Sequence, residues 1–143
     1  MSNAVAGPGW LLQHSTHGAG VFTTLTEVRD INGPPQVLEK DEVTNQSSAN
    51  FYKEWITTLL DGGDVTFTSN YVPGDAMQNS ATGLLSYLQG RGLQDFQIVP
   101  PSPNAAHTIS FSAYVTKHDS KFPVGKAATI DTILTVTGPV SVL

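Results

Sequence analysis

Across residues 108–118 the side chains alternate with a period of two. Ile109, Phe111, Ala113 and Val115 point one way, and Thr108, Ser110, Ser112, Tyr114 and Thr116 the other. Only an extended strand sends successive side chains to opposite faces, so this segment must be a strand with one buried face. The opposite face is hydroxyl-rich rather than charged. Such a surface suits an interface or a shared lumen better than bulk water.

The same period recurs through most of the chain. Residues 21–31 alternate as a long first strand, Asn32-Gly33-Pro34-Pro35 reads as a rigid turn, and residues 36–40 as a short second strand. Trp55-Ile56-Thr57-Thr58-Leu59-Leu60 and Val65-Thr66-Phe67-Thr68-Ser69-Asn70-Tyr71 flank Asp61-Gly62-Gly63-Asp64. Asp-Gly and Gly-Gly supply the positive φ of tight turns, so the two runs are expected to pair as an antiparallel hairpin. Residues 96–99 form a short strand stopped by Pro100-Pro101, and 127–137 a last strand, after which Gly138-Pro139 frees an apolar tail at 140–143. The period changes once. Beyond Pro73-Gly74, with Asp75 placed to cap, Met77, Ala81, Leu84, Leu85 and Leu88 recur on one helical face, which predicts a helix over about 75–90 ended by Gly90 and Gly92.

Six to eight strands with one helix set among them predict a mainly β fold, a sandwich or barrel with one flanking helix, rather than a doubly wound sheet. The chain's 143 residues suit one domain. The Gly- and Ala-rich residues 1–20 read as a flexible arm anchored by Trp10-Leu11-Leu12, and 21–143 as the domain. The polar, aperiodic stretch 41–50 reads as a binding loop.

Composition narrows the chemistry. With no cysteine, disulfide frameworks, thiolate zinc sites and cysteine nucleophiles are excluded. Charged residues are 13% of the chain against a usual share of about a quarter, so the outer faces are largely neutral and polar, as faces covered by partners often are. A net charge of −5 without a Lys/Arg cluster argues against gripping nucleic-acid phosphates. It does not argue against letting nucleic acid pass. Residues 1–9 lack the basic and apolar regions of a secretory signal, and no apolar run approaches a membrane helix, so a soluble protein made in a cytosol is expected. His14, His17, His107 and His118 are scattered, no Gly-x-Ser-x-Gly elbow occurs, and Asp61/Asp64 and Asp41/Glu42 fall in turns. Neither an enzyme nor a metal or cofactor site is expected.

The chain resembles the major tail (tail tube) proteins of long, non-contractile-tailed, lambda-like bacteriophages. The resemblance is carried by Gly63-Asp64-Val65-Thr66-Phe67, Tyr71-Val72-Pro73-Gly74-Asp75 and Gly83-Leu84-Leu85. Flanking support comes from Leu25-Thr26-Glu27-Val28-Arg29-Asp30-Ile31-Asn32-Gly33-Pro34, Phe96-Gln97-Ile98 and Thr135-Val136-Thr137-Gly138. It implies a β-sandwich with one helix that self-assembles into stacked hexameric rings, a tube through which DNA passes during ejection. It implies no catalytic residue, and as partners tape-measure and tail terminator proteins. The location implied is the virion tail, after assembly in the bacterial cytoplasm. Some relatives carry an extra immunoglobulin-like domain after the tube domain, and none is expected within these 143 residues.

Neighbour contacts are expected from the amino arm with Trp10, from Asp41, Glu42, Asn45, Gln46, Ser47 and Asn50, and from Val142 and Leu143. Thr66, Thr68, Ser110 and Ser112 are candidates for a face toward the lumen or a neighbour. Arms 1–20 and 41–50 are expected to stay disordered until they meet a growing end. The competing reading is a carbohydrate-binding or adhesin β-sandwich in which Trp10, Tyr52, Trp55 and Tyr71 stack on sugars.

Overall fold

The computed structural model describes residues 7–78, 81–101 and 106–142. Its elements run β1 (Leu11–Thr16), β2 (Thr23–Thr24), β3 (Val28–Asn32), β4 (Val37–Glu42), a 3-10 turn (Ala49–Phe51), β5 (Trp55–Asp61), β6 (Asp64–Asn70), α1 (Leu84–Gly90), β7 (Gln94–Val99), β8 (Ile109–Lys121) and β9 (Thr129–Val142). Seven strands form one antiparallel sheet in the order β2-β1-β7-β8-β9-β6-β3, while β4 and β5 pair only with each other. The sheet curls until β3 meets β1, and α1 packs across β8. This is the expected mainly β, barrel-like architecture with one flanking helix.

The core follows the period-two pattern. Leu12, Phe96, Ile98, Phe111, Ala113, Val115, Leu134, Val136, Val65 and Phe67 all lie buried in one cluster, closed by Leu84 of α1. Burying each of the larger of these side chains stabilises by roughly 1.5–3 kcal/mol. The Phe96 and Phe111 rings stack with centroids 6.0 Å apart across the β7–β8 pair.

Several expectations are corrected. The runs flanking Asp61-Gly62-Gly63-Asp64 do not pair: β5 pairs with β4, and β6 with β9 and β3. The glycines make the junction between ribbon and sheet instead. A Cβ on Gly62 would lie 2.6 Å from Val136 Cγ1, and Gly63, at φ +68°, sits against Pro35, where a Cβ would lie 2.8 Å from the backbone oxygen. The turn residues specify a sharp bend, and tertiary packing decides which strands it separates.

Residues 11–16 are not an arm. β1 pairs along its length with β7, from Leu11↔Val99 to Thr16↔Gln94, and Leu12, His14 and Ser15 are buried. The strand expected over 21–31 is broken between β2 and β3, where Glu27 takes φ +50° and its carbonyl accepts from Asn70 N at 3.0 Å. The helix is shorter than expected and starts after Gly83. Asp75 does not cap it, because the Met77 carbonyl accepts from Leu84 N at 3.0 Å while Asp75 Oδ1 accepts from Thr26 Oγ1 at 3.2 Å. Met77 and Leu88 still pack on the core, so the apolar spacing reported burial rather than helix length. Gly138-Pro139 frees no tail: it forms a bulge, and β9 resumes with Ser141↔Ser110 and Val142↔Ile109. A residue without an N–H is tolerated at such a bulge.

Gly63→Ala is expected to cost about 2–4 kcal/mol, from its left-handed backbone and the Pro35 contact, lowering the melting temperature by roughly 5–15 °C. Gly90→Ala, with ordinary φ and open space, should be neutral or stabilise by at most about 1 kcal/mol. Thermal unfolding of the two variants checks the difference.

Candidate assembly surfaces

The first candidate surface is the β4–β5 ribbon. Register places Leu38 opposite Leu60 and, across the shift between Leu38 and Lys40, Trp55 on the same side, while Val37 and Ile56 occupy the other. Both faces are therefore apolar, and every residue of both strands is exposed, Leu59 by 69% and Leu60 by 75%. Among the described residues, its main contact with the sheet is where β5 meets β9. A two-stranded ribbon is marginally stable alone in water. Lys40 Nζ stands 4.6 Å from the Trp55 ring centre, shielding one aromatic face with a cation.

The far end of the ribbon is wound by short polar side chains rather than left loose. Asn45 Oδ1 accepts from Ser47 N at 2.8 Å, Ser48 Oγ accepts from Asn45 N at 3.0 Å and donates to Glu54 Oε2 at 2.8 Å, and Thr44 Oγ1 accepts from Glu54 N at 2.9 Å. Asn50 and Phe51 adopt φ +54° and +61°, rare for residues with a Cβ. That turn leaves Phe51 95% exposed beside exposed Tyr52. The turn thus holds apolar side chains out in water on a backbone fixed by local hydrogen bonds.

The residues expected at neighbour contacts fall into two groups. Asp41 and Glu42 end β4, and Asn45, Gln46, Ser47 and Asn50 form the tip, so these six share one end of the ribbon. Trp10 lies elsewhere, beside Val28, Ile31, Ile98 and Ile109, and Val142 pairs with Ile109 at that same end of the sheet. Leu143 lies outside the described residues, as do residues 1–6 of the expected arm. Leu38, Phe51, Ile56, Leu59 and Leu60 were not anticipated. Their signal was available: Trp55-Ile56 and Leu59-Leu60 are apolar doublets, which cannot both face one core in a strand.

The second candidate surface is the sheet face opposite the core. Opposed residues in an antiparallel pair share a face, and the register links Thr68 with Asp30 and Asp131, Ser112 with Asp95 and Thr137, Ser110 with Gln97 and Ser141, and Thr66 with Asn32 and Ile133. Thr66, Thr68, Ser110 and Ser112 thus lie on one surface, with β9 between the two pairs. Its polar groups bond largely to each other: Ser112 Oγ donates to Asp95 Oδ1 at 2.7 Å, Thr68 Oγ1 to Asp131 Oδ1 at 2.9 Å, and Gln97 to Gln13. His17 Nδ1 lies 2.8 Å from Asp95 and Lys121 Nζ 2.6 Å from Asp131. These contacts outweigh the effect of burial and hold the Asp95 carboxyl below its ordinary range, while Lys121 and Thr68 do the same for Asp131.

The arrangement offers no catalytic constellation among the described residues. Ser112 and His17 both bond Asp95 rather than each other, so no serine is paired with an imidazole base there. Among the described residues no three His, Cys, Asp or Glu side chains cluster as metal ligands, and no helix is long and apolar enough to cross a membrane. The four aromatics of the sugar-binding reading are dispersed: Tyr52 at the tip, Trp55 along the ribbon, Trp10 beside the sheet, and Tyr71 edge-on to Phe122 at 5.7 Å.

No family model and no curated protein matches the chain. Solved structures do. The tail of an empty gene transfer agent particle, refined with C6 symmetry, superposes with a TM-score of 0.77 at 15% identity, covering 98% of this chain and 99% of that one. The sheath/tube terminator of an extracellular contractile injection system matches with a TM-score of 0.77 at 12% identity, covering 100% and 99%. The SPP1 tail tube matches with a TM-score of 0.70 at 16% identity, covering 94% and 77%. At such identities the likeness establishes the fold, one shared by tail and tube proteins of phage-like particles and injection systems. It includes a contractile system, so the fold does not single out the lambda-like branch.

Beneath α1 the His14 ring stacks on Tyr87, centroids 4.7 Å apart, and its Nε2 lies 3.1 Å from Gln94 Oε1. Burial pushes the His14 pKa below its ordinary 6.5, against the opposing effects of Gln94 and Asp95, and burial also lowers that of His118. A depressed imidazole means the unfolded chain binds more protons, so stability falls as pH drops through 6.5 toward the folded values. Urea titrations at pH 7.5 and 5.5 should show this loss, and His14→Gln should flatten part of it.

Proposed function

We propose that this chain is the subunit of a tail tube: copies join into hexameric rings, and the rings stack into a conduit for DNA in the tail of a phage-like particle. Tape-measure and tail terminator proteins are its partners, assembly takes place in the bacterial cytoplasm, and no catalysis or cofactor is involved. The observation that carries this reading is the β4–β5 ribbon, apolar on both faces and uncovered by its own sheet. A chain that leaves such a ribbon in water has an assembled state in which other chains cover it. The likeness to a gene transfer agent tail refined with C6 symmetry supports six copies per ring. The hydroxyl-rich sheet face is assigned to the conduit, because many of its polar groups are bonded to one another and its acids outnumber its bases.

Concentrated purified protein should form rings or tubes about 100 Å wide in negative stain, as expected for six domains of this size in a ring. Leu38→Ser/Leu60→Ser should remain monomeric with an unchanged circular dichroism spectrum. A glycan-binding monomer that never polymerises would sink the proposal.

Asp30 and Asp64 occupy the proposed lumen face, and neither forms an ion pair among the described residues. Repulsion between such carboxylates and phosphates, screened over about 8–10 Å in physiological salt, keeps DNA sliding. Asp30→Lys/Asp64→Lys tubes should slow DNA ejection several-fold, more strongly at low salt. Unchanged ejection through intact tubes counts against this assignment.

A further inference from the structure

Asn32 ends β3, and Gly33 follows it at φ +100°, where the chain leaves the sheet for the ribbon. Both residues are exposed. Register puts Asn32 opposite Thr66, on the sheet face that also carries Asp30, and the pairing stops there. Among the described residues the Asn32 side-chain amide has no hydrogen-bond partner, and the Gly33 N–H donates to none. A carboxamide and the backbone nitrogen one residue on can react with each other. Here both stand in water unengaged, and glycine brings no Cβ to hinder their approach.

The other described asparagines lack this combination. Asn45 is bonded through both ends of its amide, Oδ1 accepting from Ser47 N at 2.8 Å and Nδ2 donating to the Val43 carbonyl at 3.4 Å. After Asn50 the Phe51 N–H donates to the Ser48 carbonyl at 3.2 Å, and after Asn70 the Tyr71 N–H donates to the Ala128 carbonyl at 2.9 Å. Each of those nitrogens is already engaged, and each belongs to a bulky residue. A second dipeptide of the same kind, Asp61-Gly62, lies across the junction and is closed in a different way. Asp61 Oδ1 accepts from Gly63 N at 2.9 Å, and Gly62 is packed on Val136 and Val140.

We infer that Asn32-Gly33 is a self-modification site, at which the asparagine deamidates through a cyclic imide. The Gly33 nitrogen gives its proton to solvent and bonds to Asn32 Cγ. The bond from Cγ to the side-chain nitrogen then breaks, and that nitrogen leaves as ammonia with a proton from solvent. Water opens the ring. Attack at Cγ leaves an aspartyl residue, whereas attack at the main-chain carbonyl carbon leaves an isoaspartyl residue, whose backbone runs through the former side chain and is longer by a methylene. In sum, the amide and a water become a carboxylic acid and ammonia. Either product adds a carboxylate at the end of β3 near Asp30, and the isoaspartyl form also lengthens the chain where the direction of the ribbon is set. The site acts within a single chain and does not rest on the tube reading.

The full folded chain is incubated in warm neutral buffer and mapped by peptide mass spectrometry, with an isoaspartyl carboxyl methyltransferase as the probe for the rearranged product. Asn32 should convert at least about tenfold faster than Asn45, Asn50 or Asn70, and raising the pH by one unit should speed it about tenfold, because the amide nitrogen must lose a proton to attack. Asn32→Ser should remove the methylated product at this position. Asp61→Asn supplies the same dipeptide on the packed side of the junction. In the folded chain its new amide should convert at least about tenfold more slowly than Asn32, and in urea the two rates should converge. Equal rates in the folded chain overturn the assignment of this reactivity to the fold. Conversion of Asn32 no faster than that of Asn45, Asn50 and Asn70, or an aspartyl product without the isoaspartyl one, overturns the site itself.

Discussion

Everything the ribbon can do depends on the junction where it leaves and rejoins the sheet. Gly33 at φ +100° carries the chain out, Gly63 at φ +68° brings it back, and Pro35 is wedged between them, within 3 Å of where either glycine's Cβ would stand. Gly62 lies flat on Val136 and Val140 of β9. Larger residues there would push the ribbon off the sheet or twist it out of line. The bond from Gly63 N to Asp61 Oδ1, 2.9 Å, fixes the re-entry angle. An otherwise unsupported ribbon thereby gains a defined direction from a few atoms at its base. The order at its far end comes from the Asn45, Ser48 and Glu54 bonds, which are also local.

That order changes the energetics of association. A loop disordered before docking would oppose binding by roughly 1–2 kcal/mol for each backbone residue it fixes. Here the tip is already wound, so most of that cost falls on folding. On the tube proposal, restraint against premature polymerisation then comes from another source, and the two-faced ribbon offers one. A single neighbour covers one face and leaves the other wet, so a pair of subunits recovers only part of the burial available. A growing end that covers both faces recovers all of it. Each half-exposed leucine or isoleucine is worth roughly 1–2 kcal/mol on full burial, enough to separate a weak pair from a stable lattice.

Much of the fold was legible because one physical rule dominates it. Period-two alternation placed β6, β7, β8 and β9 and their buried faces, since a strand with one wet face must alternate. What stayed hidden was pairing. The positive φ at Gly63 was anticipated, but a bend in the chain looks the same whether it joins two strands of one sheet or delivers the chain from one sheet to another. Residues 11–16 read as an arm because their neighbours are Gly, Ala and His, although Leu12 and His14 sit in the core, held by β7 some eighty residues away. Local composition carries no trace of so distant a partner. The cluster from Asp41 to Asn50 was found through its polarity and length, whereas the apolar side chains of the same ribbon were read only as half of a hairpin that does not form.

The contrast between the two candidate surfaces is the last step. The ribbon exposes side chains that gain by leaving water, and the sheet face exposes hydroxyls, amides and carboxylates that have already found partners across β7, β8, β9 and β6. A surface whose donors are occupied offers little to a passing phosphate, and one whose carboxylates are fixed by neighbours keeps its charge without reaching outward. The Asp95 and Asp131 carboxyls, both held below their ordinary range, stay ionised under any condition in which the chain is folded near neutrality. One face therefore has a reason to be covered and the other a reason to remain open. On the tube proposal, such a subunit separates adhesion from passage, with the two surfaces on strands joined through Gly33–Pro35 and Gly62–Gly63.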